Sequence, residues 1–136
     1  MWEVFEHTAD LGLRARAEDV DGLFAEMARA LFSVIVEDKD RVRPIQEKSV
    51  RISGDELDFL LFDWLGELLY IFESERLLLS EFDVRVSDRG LEAACRGEPM
   101  NRTRHCMGHE VKAVTYHGLK VERAVDGWLA EVILDI

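Results

Sequence analysis

Apolar positions along this chain recur at two spacings, every second residue and every third or fourth, and the changes between them delimit its elements. Trp2, Val4 and Phe5 supply β-favouring bulk, and Leu11, Leu13, Ala15 and Ala17 alternate with Gly12, Arg14 and Arg16 as in a half-buried strand. The polar stretch His7-Thr8-Ala9-Asp10-Leu11-Gly12 joins these runs, and its Asp and Gly suit a hairpin link. From Asp19 to about Val36 the period becomes 3.6. Val20, Leu23, Phe24, Met27, Ala28, Leu31, Phe32 and Ile35 make one stripe, with Asp19 as N-cap. The charged run Glu37-Asp38-Lys39-Asp40 reads as exposed, and Pro44 keeps Arg41 to Arg43 out of a helix.

Gln46 to Ser53 alternates weakly and predicts a strand, followed by Ser53 and Glu56 at capping-box spacing. A second helix is predicted from Asp55 to about Ser74. Its apolar residues cover more than half the circumference, which predicts packing on several sides and the role of central core helix. The same spacing assigns Phe59, Phe62, Trp64, Tyr70 and Phe72 to the core rather than to base stacking, since no Arg or Lys is interleaved. Phe82 to Val86 and Leu91 to Arg96 read as a hairpin about Ser87-Asp88-Arg89-Gly90. Gly97 to Gly108 is the longest irregular stretch, of the sort that is functional or mobile. Lys112 to Tyr116 and Leu119 to Val125 read as two further strands. Asp126-Gly127 is a type I′ signal before a last strand ending in Val132-Ile133-Leu134-Asp135-Ile136. The order predicts an α+β fold, two helices packed on a mostly antiparallel β-sheet, as a single domain over residues 1–136.

Composition narrows the function classes. With 136 residues, 48% hydrophobic and 33% charged, the chain can bury a self-sufficient core. No apolar run approaches the ~18 residues of a membrane span, and Met1-Trp2-Glu3 does not begin a signal peptide, so a cytoplasmic protein is expected. A formal charge of −11 opposes direct nucleic-acid binding and suits a cation or a basic protein partner. Arg102 and Arg104 form the only local basic cluster and read as a solvated loop.

Candidate chemistry gathers at the two ends of the chain. His7, Thr8 and Asp10 place an imidazole, a hydroxyl and a carboxylate at one bend, while Asp135 sits beside the Ile136 carboxylate. Two readings stand side by side: turn capping and solvation, or a shared site for a hard cation with oxygen ligands. Cys95 and Cys106 lack a CxxC spacing. Cys106-x-x-His109, with His105 and one remote Cys, is at most half of a zinc pattern.

Several stretches, in this order, resemble the archease family: His7 to Leu13, the helix around Leu23-Phe24 and Leu31-Phe32, Trp64 to Tyr70, Gly97-Glu98-Pro99 with His105, Val111 to His117, and Trp128 with Val132 to Ile136. The resemblance implies an activator of RtcB-type RNA ligase rather than an enzyme. Such an activator serves tRNA splicing and RNA repair by promoting guanylylation and multiple turnover of the ligase. It also implies a divalent cation, often calcium, held by Asp10, Asp135 and Ile136, with Lys112 as a further functional residue. His7 would either pack or orient Asp10. Beside this stand a metal-dependent phosphoester hydrolase, in which His7 and Lys112 help activate water, and a general chaperone.

Overall fold

The computed structural model describes residues 1–136. Its order is β1 (Trp2–His7), β2 (Asp10–Ala17), α1 (Val20–Ile35), a 3-10 turn (Lys39–Arg41), β3 (Gln46–Ser53), α2 (Leu57–Glu75), β4 (Leu77–Ser87), β5 (Gly90–Pro99), β6 (Ala113–Ala124) and β7 (Gly127–Asp135). The fold is α+β and every strand pair is antiparallel, but the strands form two sheets where one was expected. They are ordered β1-β2-β7-β6 and β3-β5-β4. The meander breaks after Pro99, where residues 100–112 carry the chain from one sheet to the other.

Asp19 caps α1 as its position predicts, its Oδ1 accepting from the Gly22 amide at 2.7 Å. α1 touches β2, β1 and β7 of one sheet and β4 of the other. Its buried set adds Ala25, Ala30 and Val34 to the predicted stripe, so both of its sides are covered. This reverses the expectation that α2 is the central helix. α2 packs chiefly on β6 and buries Leu60, Leu61, Trp64, Leu65, Leu68, Leu69 and Ile71. Of its aromatics only Trp64 is fully buried, and its Nε1 donates to the Phe24 carbonyl of α1 at 3.0 Å. Phe59 and Tyr70 are exposed, contrary to the core assignment. Small residues account for the reversal: Ala25, Ala28 and Ala30 let two sheets approach α1, whereas the bulk on α2 holds neighbours away.

Local differences have local causes. No side chain caps α2, and its N-cap is Glu56, so the Ser53–Glu56 capping box does not form. β4 starts at Leu77 rather than Phe82, because Leu77, Leu78 and Leu79 are all buried ahead of a bulge and hide the period-2 pattern. The two strands expected between Lys112 and Val125 are one strand, β6, with a register shift between Thr115 and Lys120. The β6–β7 turn is Val125-Asp126, neither with positive φ, so it is not type I′. Gly127 takes φ +144° instead, where a Cβ would come within 2.2 Å of the Ala17 carbonyl. One cluster of 34 buried residues links both helices and both sheets.

Candidate functional site

The stretch His7 to Gly12 folds as the β1–β2 hairpin, with His7 paired to Asp10 across Thr8-Ala9. Ala9 sits at φ +67°, a left-handed conformation unfavourable for an L residue by about 1 kcal/mol or more. Along β2, Leu13 and Ala15 face the core, which turns Asp10, Gly12 and Arg14 to the outer face. Phe5 lies across Gly12 on that face, where a Cβ would meet its ring at 2.1 Å, and the Arg14 guanidinium sits 4.5 Å from the ring centre.

β7 runs between β2 and β6. Its register pairs Leu134 with Leu11 and Ile133 with Gly12, and one step further places Asp135 across from Asp10. On its other side Asp135 pairs with Ala113, and its carbonyl accepts from the Lys112 amide at 2.8 Å. Sheet order therefore gathers Asp10, Asp135, Ile136, Lys112 and His7 at one end of the four-stranded sheet. Asp135 and the Lys112 side chain are exposed, and neither takes part in an ion pair. The one possible ion-pair partner of Asp10 is His7, with Nδ1 to Oδ2 at 3.9 Å, too long for a hydrogen bond. That Nδ1 is shielded from solvent and has no hydrogen-bond partner.

His117 completes this end and was not singled out by the sequence. The bulge after Thr115 brings its ring edge-on to His7, centroids 5.5 Å apart, and its amide donates to Thr115 Oγ1 at 3.3 Å. The sheet order β1-β2-β7-β6, together with the β6 bulge, makes the two histidines neighbours, so spacing carries no signal of it.

A second polar cluster holds the 100–112 segment. Glu98 is buried at 3% exposure. It accepts from the Arg43 amide at 2.7 Å, from Arg104 Nη1, and from His105 Nε2 at 3.1 Å. Burial alone pushes this carboxyl up, but the Arg43 amide, Arg104 and His105 together hold it at about 2. His105 Nδ1 accepts from the Asn101 amide at 3.0 Å, which leaves the ring proton on Nε2 for Glu98. With both ring nitrogens engaged, His105 offers nothing to a metal. Cys95 is buried in β5, and burial with the Glu47 charge pushes its thiol up to about 12. A hydrogen bond to Glu37 raises the thiol of exposed Cys106 as well. No three His, Cys, Asp or Glu side chains converge, so the half zinc pattern does not assemble. The irregular stretch begins at Met100 rather than Gly97, and these bonds tie it down. Arg104 is part of that tie, while Arg102 stays solvated.

Comparison with known proteins gives one consistent result. The model of the Archease protein family matches residues 2–136. The protein archease of Methanopyrus kandleri is 41% identical over 139 residues, covering 99% of both chains. The archease of Pyrococcus abyssi is 38% identical over 140 residues, covering 99% of this chain and 98% of its own. In structure, protein 1598 of Methanobacterium thermoautotrophicum superposes with a TM-score of 0.89 at 34% identity over 99% of this chain and 98% of its own. A Thermotoga maritima protein, described as an archease and possible chaperone, shares the fold with a TM-score of 0.63 at 21% identity, covering 97% and 94%. No helix is long and apolar enough to cross a membrane.

Proposed function

The chain belongs to the archease family, and from that premise we propose that it is a metal-binding activator of an RtcB-type RNA ligase. In this reading it promotes guanylylation of the ligase and its multiple turnover in tRNA splicing or RNA repair, and performs no bond-making step itself. One observation carries the reading: the β2–β7 register, continued one step beyond Leu11 and Leu134, puts Asp10 and Asp135 at adjoining strand ends beside Ile136, and neither aspartate has a Lys or Arg side chain within 4 Å. Adjacent carboxylates without a protein cation repel one another, and a divalent cation is the simplest group that relieves this.

The donor set fits a hard cation, calcium foremost. Asp10, Asp135 and the Ile136 carboxylate offer oxygen, while the thiols of Cys95 and Cys106 are remote and held protonated. Bound there, the cation would supply charge neutralisation and a fixed arrangement of carboxylates. His7 would orient Asp10 from one side, and Lys112 would meet an incoming phosphate or carboxylate of the partner as a point charge. The protein would act in the cytoplasm, where its ligase and the RNA ends are.

Single-turnover guanylylation of the cognate ligase with labelled GTP tests the reading. Wild type should accelerate the step, and folded Asp10→Ala and Asp135→Ala variants should not. His7→Ala should weaken calcium binding by ~10-fold in calorimetry. Acceleration surviving both aspartate substitutions would discard the site, and no acceleration by wild type would discard the function.

A further inference from the structure

α2 presents to solvent a face that this chain leaves unfilled. Phe59, Phe62, Gly66 and Tyr70 follow one another at three- and four-residue steps and so share one side of the helix. Phe59 and Tyr70 are 50% and 62% exposed. Beside them Tyr116, 60% exposed on the β6 bulge, stacks on Phe62 with ring centres 3.9 Å apart and meets Phe59 edge-on at 6.0 Å. Gly66 lies between these rings in mid-helix, where glycine costs about 1 kcal/mol relative to alanine. A Cβ built there meets nothing within 4 Å, so no contact of this chain requires the missing side chain.

The rim of this notch is acidic. Asp63 and Glu67 are exposed, and neither they nor Asp58 and Glu73 form an ion pair. The cations Lys48, Arg51 and Arg96 are engaged with other carboxylates: Glu75, Glu92, and Glu47 with Glu81. Exposed aromatic anchors around an open glycine position resemble an interface hot spot, and an arginine or lysine stem can lie on their faces while its charge meets the carboxylates. The bulge that carries Tyr116 also carries His117, which touches His7 beside Asp10. The notch and the carboxylate end are therefore joined through one strand.

We propose that the Gly66 notch, with Phe59, Tyr70 and Tyr116 as anchors and Asp63 and Glu67 as its charged rim, is the docking site for an arginine- or lysine-bearing surface of the ligase. This rests on the function proposed above and separates two roles: the notch sets affinity and the carboxylate end sets activation. A basic surface pressed on the notch brings the His7–Asp10 end against the same partner.

The test measures affinity of fluorescently labelled protein for the purified ligase, and guanylylation at saturating protein, for wild type, Gly66→Leu, Phe59→Ser and the pair Asp63→Lys with Glu67→Lys. Gly66→Leu fills open space and favours helix, so it should fold at least as stably as wild type. It should nevertheless bind at least ~5-fold more weakly. Phe59→Ser should do likewise, and the charge-reversed pair should bind more weakly with a flatter salt dependence. All three should still stimulate fully at saturation. Wild-type affinity in Gly66→Leu and in the charge-reversed pair, alongside normal stimulation by wild type, would overturn the docking site and leave the activator function standing. A wild-type protein that neither binds nor stimulates would overturn both.

Discussion

The two helices invert the usual relation between hydrophobicity and burial. α2 carries five of the seven aromatics of the two helices, yet buries 7 of its 19 residues. α1 sets three Ala among its Leu, Phe and Val residues and buries 10 of its 16. The width of an apolar stripe measures how much surface a helix offers, while the size of its residues decides how many neighbours can reach it. Ala25, Ala28 and Ala30 make α1 thin enough to sit between β2 and β4. Phe59 and Tyr70 make α2 too bulky to be enclosed and leave it a surface to offer.

Aromatic truncation breaks this contrast most sharply. Phe32 of α1 is 1% exposed and stacks on Phe82, so Phe32→Ala should cost about 3–5 kcal/mol in denaturant unfolding. Phe59→Ala on α2 should cost about 1 kcal/mol or less. Equal losses would mean that α2 is enclosed after all.

Next comes acid. The end of α1 is held by the 100–112 segment, through Gly108 and His109 amides donating to the Ile35 and Val34 carbonyls, and Glu98 locks that segment. Because the folded Glu98 carboxyl sits at about 2, below its ordinary value near 4.5, its stabilisation is complete above that ordinary value. It is lost as pH falls from there toward 2. Glu98→Gln should cost about 2 kcal/mol at neutral pH and flatten the acid limb of the Tm profile. Amide exchange in this variant should quicken at the end of α1 while α2 is spared. The smallest effect is a gain: Gly66→Ala should stabilise α2 by about 0.5–1 kcal/mol in thermal melts.

Much of the fold is legible in the sequence, because it is written in local chemistry. The alternation of Leu11, Leu13, Ala15 and Ala17 gives β2, and Asp19 gives the start of α1. Where two local rules compete the reading fails. Leu77 to Leu79 carry no alternation, and Asp126-Gly127 mimics a turn type whose dihedral angles the chain does not adopt. Of the site, Asp10 and Asp135 stand out as carboxylates at apolar strand ends. Glu98 does not, since its partners Arg43, Arg104 and His105 come from separate segments.

By itself, then, the sequence determined strands, helices and antiparallel pairing of neighbours, which follow from spacing and turn chemistry within a few residues, while the candidate residues came from its resemblance to a family. Tertiary structure alone decided which helix is enclosed, that the strands divide into two sheets, that His117 meets His7, and that β7 lies against β2 so that Asp10 faces Asp135. Those outcomes depend on which apolar faces meet at long range, and on how closely their side chains let them approach.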